Sequence, residues 1–150
     1  MKRAYAVKSV GTWSTSSAVD RVMLGADDRQ RRRIVLTAEN GTEFLLDLLR
    51  PTTLCHGDGL VLDDGTIVAV AGEPEALSEI SPPMPSDLVR VAWHLGNRHA
   101  DVQIVGACLR IRCDHVLEDM VRSFGATVKS VNAPFDPVTL AQADREHADE

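Results

Sequence analysis

At 150 residues and 16.3 kDa, the chain has room for one ordinary domain or two very small ones. Hydrophobic residues make up 44% and charged residues 25%, which excludes a disordered chain, and 16 Lys and Arg against 22 Asp and Glu leave −6, which disfavours a broad nucleic-acid-binding surface. Cys55, Cys108 and Cys113 are an odd number without paired spacing; they exclude a disulfide framework and point to a reducing compartment.

No apolar stretch approaches the roughly 20 residues that a membrane span requires. The short apolar run after Lys2 and Arg3 ends at Lys8, too soon for a signal peptide. A cytoplasmic protein is expected, with no membrane partner. Residues 11–18, rich in Gly, Ser and Thr, read as an early loop. Next comes a basic cluster, Arg29, Arg31, Arg32 and Arg33, which reads either as a patch for an acidic partner or as a solvated strand end balanced by Asp27 and Asp28.

Residues 33–38 and 43–49 are apolar runs around Asn40-Gly41, a strong hairpin signal because both central residues must accept positive φ. The pattern recurs in 59–62 and 66–71 around Asp63-Asp64-Gly65. Short strands with regular turns suggest a small barrel or sandwich. Cys55 and His56 fall in the turn between two strands, where neighbours face opposite sides, and read as structural.

Composition shifts at 79–85, where Pro82, Pro83 and Pro85 mark a boundary. Ser86 is a candidate N-cap for a helix with the stripe Leu88, Val91, Ala92 and Leu95, and Gly96 the expected left-handed stop. Residues 102–111 read as two short strands bent near Gly106. Asp114 can cap a second helix with the stripe Leu117, Met120, Val121 and Phe124, stopped by Gly125 before a last strand over 126–131. With one strand ahead of Pro82, the order is β-α-β-β-α-β, that of a ferredoxin-like unit. From Asp136 onward the chain is acidic, poor in apolar residues and expected to be a mobile tail.

Phosphate-loop, dinucleotide, zincin and C-x-x-C signatures are all missing. What remains is a scatter of His and Cys. His99 lies three residues past Gly96, beyond the apolar stripe, and reads either as a partner for the helix dipole or as a metal ligand. His94 is on a different helical face and reads as structural. Cys113 and His115, at i and i+2, would share one side of an extended strand end, a pairing suited to borderline-soft divalent metals. The alternative leaves Cys113 as a strand residue and His115 as an exposed first-turn residue. His147 in the tail is either inert or a tethered ligand.

In these residues the chain resembles the UreE family of urease accessory proteins, which are nickel metallochaperones. The resemblance rests on Asp28-Arg29-Gln30-Arg31-Arg32-Arg33, Leu54-Cys55-His56-Gly57-Asp58-Gly59, Trp93-His94-Leu95-Gly96-Asn97-Arg98-His99, Asp114-His115-Val116-Leu117-Glu118-Asp119-Met120, Phe124-Gly125-Ala126 and Ala133-Pro134-Phe135. It implies an α+β chain: a small β-barrel-like domain over 1–78, a ferredoxin-like metal-binding domain over 79–135 and a flexible acidic tail over 136–150. It also implies a homodimer in which His99 of both copies binds one Ni²⁺. Cys113 and His115 fall where some members carry a His pair as a peripheral site, and Cys113 departs from that pattern. His147 is what remains of the His-rich tail of many members. The implied role is delivery of Ni²⁺, with Cu²⁺ or Zn²⁺ as competitors, to the urease apoenzyme complex, with accessory proteins including the nickel-handling GTPase. It is not an enzymatic role. A different class of reading, an RNA-binding ferredoxin-like module, needs aromatic residues on the central strands and a basic face.

Overall fold

The computed structural model describes residues 1–138, in two compact units, Met1–Glu73 and Pro74–Val138. The change of unit at Glu73 and Pro74 precedes the proline-rich stretch, because the strand before Pro82 already belongs to the second unit. No helix among the described residues is long and apolar enough to cross a membrane.

The first unit is a six-stranded sheet of β1 (Lys2–Lys8), β2 (Ala18–Leu24), β3 (Gln30–Thr37), β4 (Glu43–Thr53), β5 (Gly59–Leu62) and β6 (Ile67–Gly72). Its order is β2-β6-β5-β1-β4-β3, with β1/β4 and β2/β6 parallel. Period-2 alternation turns Ala4, Val22, Leu36, Phe44, Leu46, Leu60, Leu62 and Val68 to one side, where they form a single buried cluster. Each such leucine stabilises the unit by roughly 1.5–3 kcal/mol relative to exposure.

The sheet is a curled half-barrel, not a closed barrel. Its edge strand β2 meets the turn between β3 and β4, not a strand. Glu39 N–H donates to Arg21 O at 2.8 Å, and Asp20 accepts from Asn40 N–H at 2.9 Å and Thr42 N–H at 3.2 Å. Burial disfavours the charged Asp20 carboxylate, but hydrogen bonds from the Thr42 side chain and the backbones of Asn40, Arg21 and Thr42 outweigh it and lower its pKa to about 2. Arg29 departs from the solvated strand end expected of it. The 3₁₀ turn Ala26–Asp28 directs its side chain inward, where it is buried and donates from Nη1 to Leu54 O at 3.4 Å.

The second unit runs β7 (Pro74–Ser81), α1 (Leu88–Asn97), β8 (Gln103–Val105), β9 (Cys108–Arg112), α2 (His115–Ser123) and β10 (Thr127–Pro134). Its sheet order, β10-β7-β9-β8 with every neighbouring pair antiparallel, is that of a ferredoxin-like fold. Ile80, Leu109 and Ile111 of the sheet pack with Val91 and Leu95 of α1 and Val121 of α2. Gly106 takes φ 58 at the turn between β8 and β9.

Ser86 does not cap α1. Pro85 opens a 3₁₀ turn over Pro85–Asp87, so the α-helix starts at Leu88. The Asp87 carboxylate pairs with Arg90 at 3.3 Å and caps nothing. Asp114 does cap α2, accepting from Leu117 N–H at 3.0 Å.

Candidate metal centre

The end of α1 fixes the position of His99. Gly96, the expected stop, is still helical, and His99 is the one non-glycine residue with positive φ, at 58°, among the described residues. Ala100 N–H donates to Leu95 O at 3.2 Å and His99 N–H to Gly96 O at 3.0 Å. These two bonds make a Schellman motif with His99 at the left-handed position. The end falls here because Ala100 is the first apolar residue after Leu95, and both belong to the same cluster. Closing the motif on that contact places the left-handed residue at 99.

A left-handed side chain costs about 1–2 kcal/mol relative to the ordinary helical region. His99 accepts that cost while remaining exposed, and its imidazole makes no hydrogen bond among the described residues. Both ring nitrogens are open. His94 is structural by contrast: its ring lies 4.5 Å from the Phe124 ring and 5.0 Å, edge-on, from Trp93.

Cys113 and His115 flank Asp114, which is extended and caps α2. The strand stops at Arg112, and Cys113 and Asp114 separate it from His115, the first residue of α2. His115 is fully exposed. A short polar chain connects the two. Ser78 of β7, itself buried, donates from Oγ to Glu118 Oε1 at 3.0 Å and lies 3.5 Å from Cys113 Sγ. Glu118 Oε2 is 3.9 Å from His115 Nδ1. Ser78 and Glu118 were not apparent in the sequence. Glu118 could have been found from its i,i+3 relation to His115, whereas Ser78 is distant in the chain.

No three His, Cys, Asp or Glu side chains among the described residues form a ready metal cluster. His99, Cys113 and His115 are not among any such cluster, and His147 lies outside the described residues. In the first unit, His56 Nδ1 accepts from Gly72 N–H at 3.0 Å. The buried Asp58 takes Cys55 N–H at 2.7 Å and Val10 N–H at 3.0 Å. That turn is structural, as its sequence suggested.

Residues 3–71 match the N-terminal domain, and residues 75–150 the C-terminal domain, of the UreE urease accessory protein. The chain belongs to the UreE family. It is 49% identical over 148 residues to the urease accessory protein UreE of Bradyrhizobium sp. strain BTAi1, covering 99% of this chain and 71% of the relative. The protein of the same name from Bradyrhizobium sp. strain ORS 278 is also 49% identical, with 99% and 70% covered. That of Beijerinckia indica is 44% identical over 137 residues, with 91% and 79% covered. The UreE role is that of a nickel metallochaperone in urease maturation, and this membership makes the chain a carrier of metal and not a catalyst.

Proposed function

We propose that the chain acts as a homodimer that holds one Ni²⁺ between the His99 side chains of its two copies. It then releases the ion to the urease apoenzyme assembly, together with accessory proteins that include a nickel-handling GTPase. The observation that carries this reading is the left-handed, exposed His99. One histidine is a poor site alone, but two-fold symmetry doubles it. Two imidazoles leave open coordination positions, which suits release, unlike a closed four-ligand structural site. Imidazole does not itself select nickel, and Cu²⁺ and Zn²⁺ compete for it, so partners and availability set selectivity.

Cys113 and His115 form an outer site in this reading, with Glu118 close enough to His115 Nδ1 that a small ring movement would let it orient the imidazole for a metal at Nε2. His147 is an accessory ligand on the C-terminal segment. The reduced thiols suit the cytoplasm. RNA recognition lacks a platform, since Pro74–Ser81 and Cys108–Arg112, the central strands, contain no aromatic residue on which a base could stack. Calorimetric titration with Ni²⁺ tests the reading: wild type should show a tight site that His99→Ala lacks, and an unchanged isotherm in the variant refutes it.

A further inference from the structure

Four arginines and a leucine gather where β3 pairs with β4. Arg31 lies opposite Thr52 and Arg33 opposite Asp47, so residues 48–51 of β4 bulge outward across from Arg32. Leu49, within that bulge, is 96% exposed, and Arg50 beside it is exposed too. Alternation along β3 turns Arg31, Arg33 and Val35 to the face opposite the buried Leu36, and Val35 is half exposed.

Charge at this end is only partly neutralised. Arg31 pairs with Asp28 at 3.1 Å, and Asp47 is taken by Arg3 at 3.2 Å. Among the described residues, Arg33 and Arg50 make no ion pair, and Arg32 donates only to Leu48 O, at 3.4 Å. Among the described residues, three guanidinium groups therefore lack a carboxylate partner on the two strands that carry the outward Leu49, on a chain whose net charge is −6. Charged residues on an edge strand are explained by protection against strand pairing. Leu49 is not, because an exposed apolar tip works against that protection.

We infer that this bulge docks an acidic surface carrying an apolar recess, on the urease assembly that receives the nickel. The inference rests on the proposed partner and names the part of the chain that meets it. The arginines steer the encounter and fix its register, and Leu49 is the apolar anchor. A nucleic acid is the weaker occupant: the chain's overall charge repels a polyanion, and the centre of the patch is aliphatic, not aromatic.

The test measures binding of the full chain to the immobilised urease apoprotein with its accessory proteins, at low and high salt, for wild type, Arg33→Glu/Arg50→Glu, Arg33→Gln/Arg50→Gln and Leu49→Ser. An RNA oligonucleotide is run in parallel, and Ni²⁺ titration of every variant checks that the second unit is intact. The charge reversal should weaken association at least about tenfold and flatten its salt dependence, the neutral variant less so. Leu49→Ser should weaken it with the salt dependence kept, and nickel binding should match wild type throughout. Equal association of the reversal variant and wild type overturns the inference, as does wild type that binds nickel but not the assembly, or RNA binding that the reversal abolishes. A wild type without a nickel site overturns the proposed function instead, and that result is read in a separate titration.

Discussion

His99 and Gly125 occupy the same position in the same capping motif at the ends of the two helices. Ala126 N–H donates to Val121 O at 3.1 Å and Gly125 N–H to Arg122 O at 2.9 Å, the pair of bonds that Ala100 and His99 make at the end of α1. Gly125 takes φ 88 and His99 φ 58. Glycine is the inexpensive residue for this conformation. One helix uses it, and the other spends stability on an exposed imidazole.

Exchange at these two positions should therefore have opposite effects. His99→Gly should raise unfolding stability by up to about 1 kcal/mol and remove the tight nickel site, while His99→Ala, equally strained, should stay within about 1 kcal/mol of wild type. Gly125→Ala should cost about 1–2 kcal/mol, since its Cβ would also meet Pro83 Cγ at 3.4 Å. Denaturant unfolding beside nickel titration reads both effects; a His99→Gly variant less stable than His99→Ala contradicts the account.

Acid sensitivity of the first unit should run in part through Asp20, alongside Asp64, whose carboxyl Thr66 and Lys2 also hold well below the usual range. The folded pKa of Asp20, about 2, lies below the ordinary 3.8, so the stability it contributes is fully present above about 4 and is lost as pH falls toward 2. The stability gap between wild type and Asp20→Asn should be flat from pH 7 to about 4 and shrink below that. A gap that widens on acidification contradicts this assignment.

The outer ligands should act on a second equivalent only. Cys113→Ser should abolish a sulfur-to-nickel charge-transfer band, and His115→Ala should weaken the same step, with the first equivalent unchanged. Nickel binding should tighten with rising pH as imidazoles and thiol lose their protons. Loss of the first equivalent in Cys113→Ser would move the main site to the end of β9.

The contribution of His147 is best tested by ending the chain after Val138. Phe135 is fully buried, and Asp136 and Val138 N–H donate to Gln103 Oε1 and Val102 O, so an earlier cut would damage the second unit. Weaker binding of the first equivalent by the shortened chain supports a tethered ligand, and unchanged binding removes His147 from the site.

Much of the architecture was legible because local chemistry fixed it. Asn40-Gly41 marked the β3–β4 hairpin, although only Gly41 takes positive φ, at 92°, and Asn40 does not, so the turn is not the one with both central residues left-handed. Asp114 and Gly125 bracketed α2 as their cap chemistry requires. β1 and β2 were not legible. The first is bounded by Lys2, Arg3 and Lys8, which leave only a short apolar run, and both pair in parallel with strands far along the chain, so no turn announces them. At the metal site the residue types could be read but not their conformations. Gly96 drew the left-handed assignment by composition, whereas the contact of Leu95 with Ala100 decides it. Ser78 reaches Cys113 only through the pairing of β7 with β9, which no local pattern reveals.

The most direct test of the central claim is native mass measurement of the metal-free and nickel-loaded chain at micromolar concentration, for wild type and His99→Ala. A nickel ion shared by two His99 side chains predicts a wild-type dimer that takes up its first Ni²⁺ as one ion per two chains, and a His99→Ala dimer that lacks that uptake. Tight uptake of nickel by a wild-type monomer, or the same first uptake by the variant dimer, would contradict it.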